Sequence, residues 1–118
     1  MGVIRISNLR LRAVVGTMDW ERSAPQDVVF NIELCFDHSA AAASDDIDDT
    51  VDYKALKLEL IEMVEKSEFR LLERLAAAAL EICLARAKVE RAVVRVDKPK
   101  ALRFADSVSV EVEGVAGE

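Results

Sequence analysis

The chain has 118 residues, a hydrophobic fraction of 52% and a formal net charge of -6. This length predicts one domain, residues 1–118, with a single packed core. The acidic balance argues against nucleic acid as a partner, because phosphate binding needs a basic surface. No apolar run approaches the roughly 18 residues of a membrane span. Cys35 and Cys83 form no CxxC pair, and no signal peptide is expected, so the predicted location is the cytoplasm.

The first half of the chain predicts two strands, an acidic loop and a helix. Residues 4–15 are expected to form a strand closed by Gly16, and residues 28–36 form a clearer strand. Its apolar side chains alternate with polar ones and so share one face: Val28, Phe30, Ile32, Leu34 and Phe36. Residues 40–50 predict a loop, with Asp49 or Thr50 as the cap of a helix that begins near Val51. The apolar stripe of that helix is expected to be Tyr53, Leu56, Leu60 and Val64.

The second half predicts another helix and two more strands. After a break at 67–69, residues 71–87 are rich in alanine and predict a helix. One side of it is expected to carry Leu71, Leu75, Ala78, Ala79 and Ile82. Residues 92–98 and 107–113 predict the third and fourth strands. The order indicates an α+β domain, a four-stranded antiparallel sheet with two helices on one face. The free edges of such a sheet need a partner, which favours an oligomer.

Lys98 is the most informative residue of the third strand. Val94 and Val96 point to one face of that strand, and Lys98 continues the same face. Pro99 follows and has no N–H for the sheet, so the strand ends there. Such a lysine either lies along apolar surface with its ammonium in water or marks a pocket at the end of the sheet.

Three further residues are candidates for a site with Lys98. Glu21 lies beside Trp20 in a connecting loop, where it could also be a solvated carboxylate. Tyr53, the only tyrosine, opens the first helix and could simply fill the core. Glu73 falls in the first turns of the second helix, where the helix dipole favours a carboxylate. Each residue has an ordinary structural explanation alone, but the four together favour a shared site.

Other kinds of active site find little support in the sequence. His38, the only histidine, could be paired with Cys35 as a metal ligand, but no further ligand follows at zinc spacing. The chain has no G-x-S-x-G nucleophile motif and no glycine-rich phosphate loop. We therefore expect neither a metal nor another cofactor.

The whole chain resembles the dihydroneopterin aldolase family. Its most specific block is Ser-Asp-Asp-Ile-Asp-Asp-Thr-Val-Asp-Tyr at 44–53. Phe-Arg-Leu-Leu-Glu-Arg-Leu-Ala at 69–76 and Val-Asp-Lys-Pro at 96–99 are the next two. The resemblance implies the tunnelling fold, in which sheets of four subunits join in a ring around a polar channel. Two rings usually stack, so a tetramer or octamer is implied, with active sites between neighbouring subunits.

The resemblance also implies a reaction, the retro-aldol cleavage of 7,8-dihydroneopterin. The products are 6-hydroxymethyl-7,8-dihydropterin and glycolaldehyde, on the folate pathway. The protonated C6=N5 imine of the pterin accepts the electrons, so neither a metal nor a lysine Schiff base is required. Lys98 would manage proton transfer, and Tyr53 would stack on the substrate or relay protons. Glu21 from a neighbouring subunit would hold the substrate hydroxyls or Lys98.

Pterin recognition is implied for a second set of residues. Glu73 would accept two hydrogen bonds, from the 2-amino group and the ring N3–H of the pterin. A carboxylate matches that pair of donors. Backbone groups of Val51 and Leu72 would complete the contact with the pterin edge.

Residues 100–109 depart from the aldolase pattern and resemble the related dihydroneopterin triphosphate epimerase. Lys100 and Arg103 in this stretch are candidate phosphate contacts, or two solvated charges on a turn. Residues 20–22 and 98–99 favour the aldolase, which is the function expected here, with epimerisation as an accompanying activity. The alternatives are the triphosphate 2′-epimerase and a pterin-binding ring without turnover.

Overall fold

The computed structural model describes residues 1–117 of the chain. This part contains five strands, four α-helices and one 3-10 helix. In chain order they are β1 (Gly2–Val15), α1 (Asp19–Ser23), β2 (Gln26–Phe36), α2 (Ser39–Ser44), the 3-10 helix (Ile47–Asp49), α3 (Tyr53–Lys66), β3 (Glu68–Phe69), α4 (Leu72–Ala85), β4 (Arg91–Pro99) and β5 (Ser107–Val115).

The strands form one mixed sheet in the order β3-β1-β2-β4-β5. The four long strands pair antiparallel, whereas β3 runs parallel to the end of β1, with Val14 opposite Glu68 and Val15 opposite Phe69. The four predicted strands are therefore present and antiparallel, but the sheet also contains a fifth strand, β3, whose parallel pairing makes it mixed. The segment 67–69 contains a two-residue strand, which is too short to show a repeating pattern in the sequence.

A β-bulge in β1 interrupts its pairing with β2. Ile6 lies opposite Ile32 and Leu9 opposite Phe30, so two residues of β1 face one residue of β2. The second of these two, Asn8, has a positive φ of 54°, which asparagine tolerates better than most residues. The extra residue shifts the side-chain alternation, and this explains why the sequence of β1 alternates only in part.

The core lies between one face of the sheet and the helices α3 and α4. Each of these helices contributes a stripe of buried side chains; α3 packs against β1, α4 packs against β4 and β5, and the buried face of β2 belongs to the same core. The predicted inward residues of β2 are all buried: Val28, Phe30, Ile32, Leu34 and Phe36. Leu56, Leu60 and Val64 of α3 are also buried, as predicted. None of the helices within residues 1–117 has the length and apolar character needed to cross a membrane.

The start of α3 differs from the prediction in two ways. The cap is Asp52, whose carboxylate accepts a hydrogen bond of 3.0 Å from Ala55 N, and neither Asp49 nor Thr50 caps the helix. Tyr53 was expected on the buried stripe, but it is 49% exposed. Helical side chains lean toward the N-terminus, so the ring of the first helical residue extends past the packed part of the helix.

Two segments that were expected to be loops contain short helices. Residues 40–50 include most of α2 and the 3-10 helix, and the connection between β1 and β2 contains the five-residue helix α1. Helices of one or two turns bury too few residues to produce a periodic pattern. The helix α1 carries Glu21, one of the candidate site residues.

Candidate functional site

Lys98 and Glu21 form a buried ion pair within one chain. Lys98 follows Val94 and Val96 on the inner face of β4, as predicted, and is only 9% exposed. Its ammonium donates a hydrogen bond to Oε2 of Glu21, which is 7% exposed. The expectation that Glu21 reaches Lys98 from a neighbouring subunit is therefore wrong: the fold of one chain makes this contact.

The short helix α1 and the start of β2 hold the Glu21 carboxylate. Met18 N donates to Oε1 of Glu21 at 3.2 Å, which closes the first turn of α1. Gln26 Nε2 donates to Oε2 at 3.4 Å and to the carbonyl oxygen of Val15 at 3.2 Å. The hydrogen bond from Lys98 lowers the pKa of Glu21 below its usual value, against the raising effect of burial. Glu21 is thus an ionised carboxylate that accepts three hydrogen bonds.

The turn between β1 and α1 is tied to the short strand β3. Gly16 N donates to the carbonyl oxygen of Phe69 at 3.2 Å. The guanidinium of Arg22 donates to the same oxygen at 3.1 Å and to the carbonyl oxygen of Gly16 at 3.4 Å. These bonds fix α1, and with it Glu21, against the segment that leads into α4.

The ion pair opens into a cleft of about 350 Å³. One wall comes from the segment that begins α4, and the others come from the end of β1, β4 and β5. The lining residues are Val15, Gly16, Thr17, Glu21, Arg70, Leu71, Leu72, Glu73, Lys98, Ala101, Val108 and Val110. Polar groups thus converge on a partly apolar concavity, the usual character of a small-molecule site.

The structure brings four of the candidate residues together and leaves four outside the cleft lining. Glu21, Leu72, Glu73 and Lys98 share the cleft. Val51 and Tyr53 instead line a separate depression of about 120 Å³ at the start of α3. Lys100 and Arg103 are exposed residues of the β4–β5 loop, next to the cleft residue Ala101.

Glu73 has a setting that suits recognition of hydrogen-bond donors. It lies in the first turn of α4, is exposed, and lines the cleft at the positive end of the helix. Leu71, the N-cap residue, makes no side-chain capping bond, so the first backbone N–H groups of α4 also face this end. A carboxylate beside main-chain groups can pair with a planar heterocyclic edge that carries N–H donors.

Two residues in or beside the cleft were not among the candidates from the sequence. Gln26 holds Glu21, and Arg70 lines the cleft wall before α4. No local pattern distinguishes either residue from an ordinary surface side chain. Within the described residues, no group of three or more His, Cys, Asp or Glu side chains could hold a metal ion.

Comparisons with known proteins agree with this geometry. The family described as "FolB: Dihydroneopterin aldolase" matches residues 4–113. The dihydroneopterin triphosphate 2′-epimerase of Escherichia coli K12 is 40% identical over 108 residues, which cover 92% of this chain and 90% of the epimerase. The dihydroneopterin aldolase of the same organism is 34% identical over 113 residues, which cover 96% and 93%.

A solved structure shows the same fold. The E. coli dihydroneopterin aldolase in complex with neopterin superimposes with a TM-score of 0.92 and 33% sequence identity, covering 97% of this chain and 99% of that one. The family match spans nearly all of the chain, and both curated relatives exceed 30% identity over most of their length. The chain therefore belongs to the dihydroneopterin aldolase family.

Proposed function

We propose that this protein cleaves 7,8-dihydroneopterin by a retro-aldol reaction to 6-hydroxymethyl-7,8-dihydropterin and glycolaldehyde. The observation that carries the proposal is the buried Lys98–Glu21 pair, which opens into the same cleft as Glu73. Lys98, the residue proposed for proton transfer, and Glu73, the residue proposed to bind the pterin edge, thus line the same cleft. The family match and the neopterin complex of the similar aldolase support a pterin as the ligand.

The chemistry requires proton transfer at two places. A base removes the proton of the C2′ hydroxyl, and the O–H electrons form the C=O bond of glycolaldehyde as the C1′–C2′ bond breaks. The electron pair of that bond forms C1′=C6, while the C6=N5 electrons move to protonated N5. Protonation of C1′ and loss of the N5 proton then restore the imine.

Lys98 is the residue to which we assign the proton transfers, acting through water. Its Nζ lies at the cleft wall, where it is hydrogen-bonded to the ionised Glu21. As the free amine it takes the C2′ hydroxyl proton through water, and as the resulting ammonium it gives a proton to C1′. General acid–base catalysis needs such a positioned group within hydrogen-bond reach of the substrate. Because the pterin provides the electron sink, the mechanism uses neither a metal nor a lysine Schiff base.

Recognition of the pterin is assigned to the beginning of α4. Glu73 accepts hydrogen bonds from the 2-amino group and N3–H, and the backbone at Leu72 completes this edge. Both residues line the cleft. A hydrogen bond to a charged group contributes about 1.5–3 kcal/mol when it is protected from water.

We further propose that a neighbouring subunit completes the site with Tyr53 and the backbone of Val51. Their depression is separate from the Lys98 cleft of the same chain, and Tyr53 is half exposed. Edge strand β5 offers nine residues for pairing with another sheet. Joining such edges in a closed tetramer or octamer would remove the free edges and bring the two half-sites together.

The triphosphate 2′-epimerase is the second candidate function. The E. coli epimerase is more similar to this chain than the E. coli aldolase, at 40% against 34% identity. Epimerisation would use the same cleavage, after which the aldehyde turns over and adds to C1′ through its opposite face. A pterin-binding ring without turnover is the third candidate.

One experiment separates these candidates. The protein is incubated with dihydroneopterin and with its triphosphate, and the pterins are separated by chromatography. Formation of 6-hydroxymethyl-7,8-dihydropterin supports the aldolase, and formation of the 2′ epimer of the triphosphate supports the epimerase. Pterin binding without either product would contradict both and support the ring. The Lys98→Ala protein is the control for contaminating activity.

A further inference from the structure

Thr17 provides the one hydroxyl group among the described side chains that line the cleft of Lys98. The other polar side chains of this lining are charged, two carboxylates and two cations. Lys98 and Glu21 are bonded to each other, and Glu73 is assigned to the pterin edge. Thr17 is exposed, and its hydroxyl forms no hydrogen bond with another group of residues 1–117. The cleft therefore offers one neutral group that can both donate and accept a hydrogen bond.

The contacts of its two neighbours place Thr17 at the Lys98 end of the cleft. Gly16, the preceding residue, packs so closely against the Glu21 carboxylate that no room is left for a Cβ atom. Met18, the following residue, donates its N–H to the same carboxylate at 3.2 Å. That carboxylate accepts a hydrogen bond from Nζ of Lys98. Thr17 thus lies between two residues that contact the direct partner of Lys98.

Hydrogen bonds hold the backbone on both sides of Thr17. Gly16 N donates to the carbonyl oxygen of Phe69 at 3.2 Å, and the carbonyl oxygen of Gly16 accepts from the guanidinium of Arg22 at 3.4 Å. The carbonyl oxygen of Met18 accepts from the N–H of Arg22 at 3.2 Å. The side chain itself is restricted at χ1, because threonine is β-branched. Little conformational entropy is therefore lost when a ligand binds this hydroxyl.

The side chain of dihydroneopterin carries a hydroxyl group next to the one that reacts. In the proposed reaction Lys98 acts on the C2′ hydroxyl, so that oxygen already has its partner. The C3′ hydroxyl is one carbon further along the side chain, and the cleavage leaves it unchanged. A neutral hydroxyl such as that of Thr17 matches it, because each group can donate to or accept from the other.

We propose that Thr17 binds the C3′ hydroxyl of dihydroneopterin and thereby selects the configuration at C2′. This rests on the proposed retro-aldol function and adds a specificity-determining residue to it. When the C2′ hydroxyl is directed to Lys98 and the C1′–C2′ bond is aligned for cleavage, two positions on C2′ remain. One holds hydrogen and the other holds the C3′ hydroxymethyl group. Inversion at C2′ exchanges these two groups, so only one epimer places its C3′ hydroxyl at Thr17.

Steady-state kinetics of Thr17→Val, which removes the hydroxyl and keeps the branched shape, test this contact. We expect kcat/KM for dihydroneopterin to fall about 3- to 10-fold, the range for a lost neutral hydrogen bond. The values for the 2′ epimer and for the analogue that lacks the C3′ hydroxyl should change less than about twofold, because neither makes the contact. Thr17→Ser keeps the hydroxyl and should retain most of the wild-type value for dihydroneopterin. An equal loss on dihydroneopterin and on either comparison substrate, or no loss on any, would overturn the inference.

Ser23→Ala is the matched control. Ser23 carries an exposed hydroxyl in the same connection between β1 and β2, but it donates to the carbonyl oxygen of Trp20 at 3.1 Å and does not line the cleft. This variant should keep the wild-type ratio of kcat/KM values for dihydroneopterin and the analogue without the C3′ hydroxyl. A change of that ratio as large as the one in Thr17→Val would assign the effect to the whole connection and overturn the role of Thr17.

A binding measurement separates failure of this contact from failure of the proposed function. Neopterin and 6-hydroxymethylpterin share the pterin edge, but only neopterin has a C3′ hydroxyl. Each is titrated by calorimetry into the wild-type and Thr17→Val proteins. Neopterin binding that is weakened about 3- to 10-fold, with 6-hydroxymethylpterin binding unchanged, supports the contact even if the wild type cleaves no dihydroneopterin. Equal effects on both ligands, or no effect on either, overturn the contact even if dihydroneopterin is cleaved. Failure of the wild type to bind either pterin would overturn the contact and the proposed function together.

Discussion

The Glu21 carboxylate occupies the space in which a side chain on Gly16 would begin. A Cβ atom built on Gly16 would lie 2.3 Å from Cδ of Glu21 and 2.4 and 2.5 Å from its two oxygens. Gly16 also has a φ of +140°, a conformation that residues with a Cβ rarely adopt. The absence of a side chain at this turn therefore allows Glu21 to pack against the backbone and reach Lys98.

We predict that Gly16→Ala displaces Glu21 and reduces turnover about as strongly as Glu21→Ala. The substitution should also destabilise the fold by about 1 kcal/mol or more, because alanine is strained at this φ. Turnover and thermal unfolding of both single variants and of the double variant are measured. If space for Glu21 is the reason, Gly16→Ala should reduce turnover far less in the Glu21→Ala background. Full activity of Gly16→Ala would show that the Glu21 carboxylate does not need the space beside Gly16.

The ion pair predicts how stability depends on pH. The hydrogen bond from Lys98 keeps the pKa of Glu21 lower in the folded protein than its ordinary value of 4.5. A carboxyl group with a lowered folded pKa stabilises the fold above its unfolded pKa and loses that contribution as the pH falls through the folded pKa.

We therefore expect the free energy of unfolding to fall with decreasing pH below about 4.5, partly because Glu21 becomes protonated. Glu21→Gln has no carboxyl group at this position, so its stability should fall less steeply over the same range. Denaturant unfolding at several pH values checks this difference. Glu62→Gln is a useful comparison, since Glu62 is an exposed member of an ion pair with Lys66. Parallel curves for wild type and Glu21→Gln would contradict the expectation.

Replacement of Lys98 should separate chemistry from binding. Lys98→Ala is expected to abolish most of the cleavage while a pterin ligand still binds, because Lys98 acts on protons and Glu73 holds the pterin edge. Single-turnover kinetics and ligand titration measure the two effects. Treatment of the wild type with borohydride in the presence of substrate should leave Lys98 unmodified, since the pterin provides its own imine. A reduced adduct on Lys98, detected by mass spectrometry, would refute the mechanism.

Glu73→Gln tests pterin recognition without removing the side chain. An amide has an acceptor on one side only, so one donor of the pterin would face an amide donor. Binding of a pterin ligand should weaken about 10- to 100-fold. Glu81→Gln, an exposed change on the same helix and outside the cleft lining, is the matched control. An unchanged dissociation constant for Glu73→Gln would remove this residue from the site.

Mixed oligomers test whether neighbouring subunits share a site. Lys98→Ala and Tyr53→Ala subunits, each inactive alone, should recover part of the activity when mixed, because some interfaces combine an intact Lys98 with an intact Tyr53. Lys98→Ala mixed with Glu21→Ala should recover nothing, since both residues belong to the cleft of one chain. Recovery by the second mixture, or an active monomer in light scattering, would contradict this assignment.

The sequence determined the parts of the fold that repeat along the chain. Alternation in β2 predicted its five inward side chains, and alternation in β4 predicted that Lys98 would follow Val94 and Val96 into the interior. Helical spacing likewise predicted the buried stripe of Leu56, Leu60 and Val64. These patterns are readable because each buried face must be apolar at every second or every third to fourth residue, whatever it packs against.

Only the tertiary structure decided where the remaining functional groups lie. Glu21 is carried by a helix too short to show a period, and its burial depends on a partner 77 residues away. Tyr53 fits a buried stripe by spacing but is half exposed, because it begins its helix. The strand β3 and the place of Arg70 in the cleft wall also depend on segments that meet only after folding. Spacing along a chain determines which face a side chain takes, whereas its partners are set by contacts between distant segments.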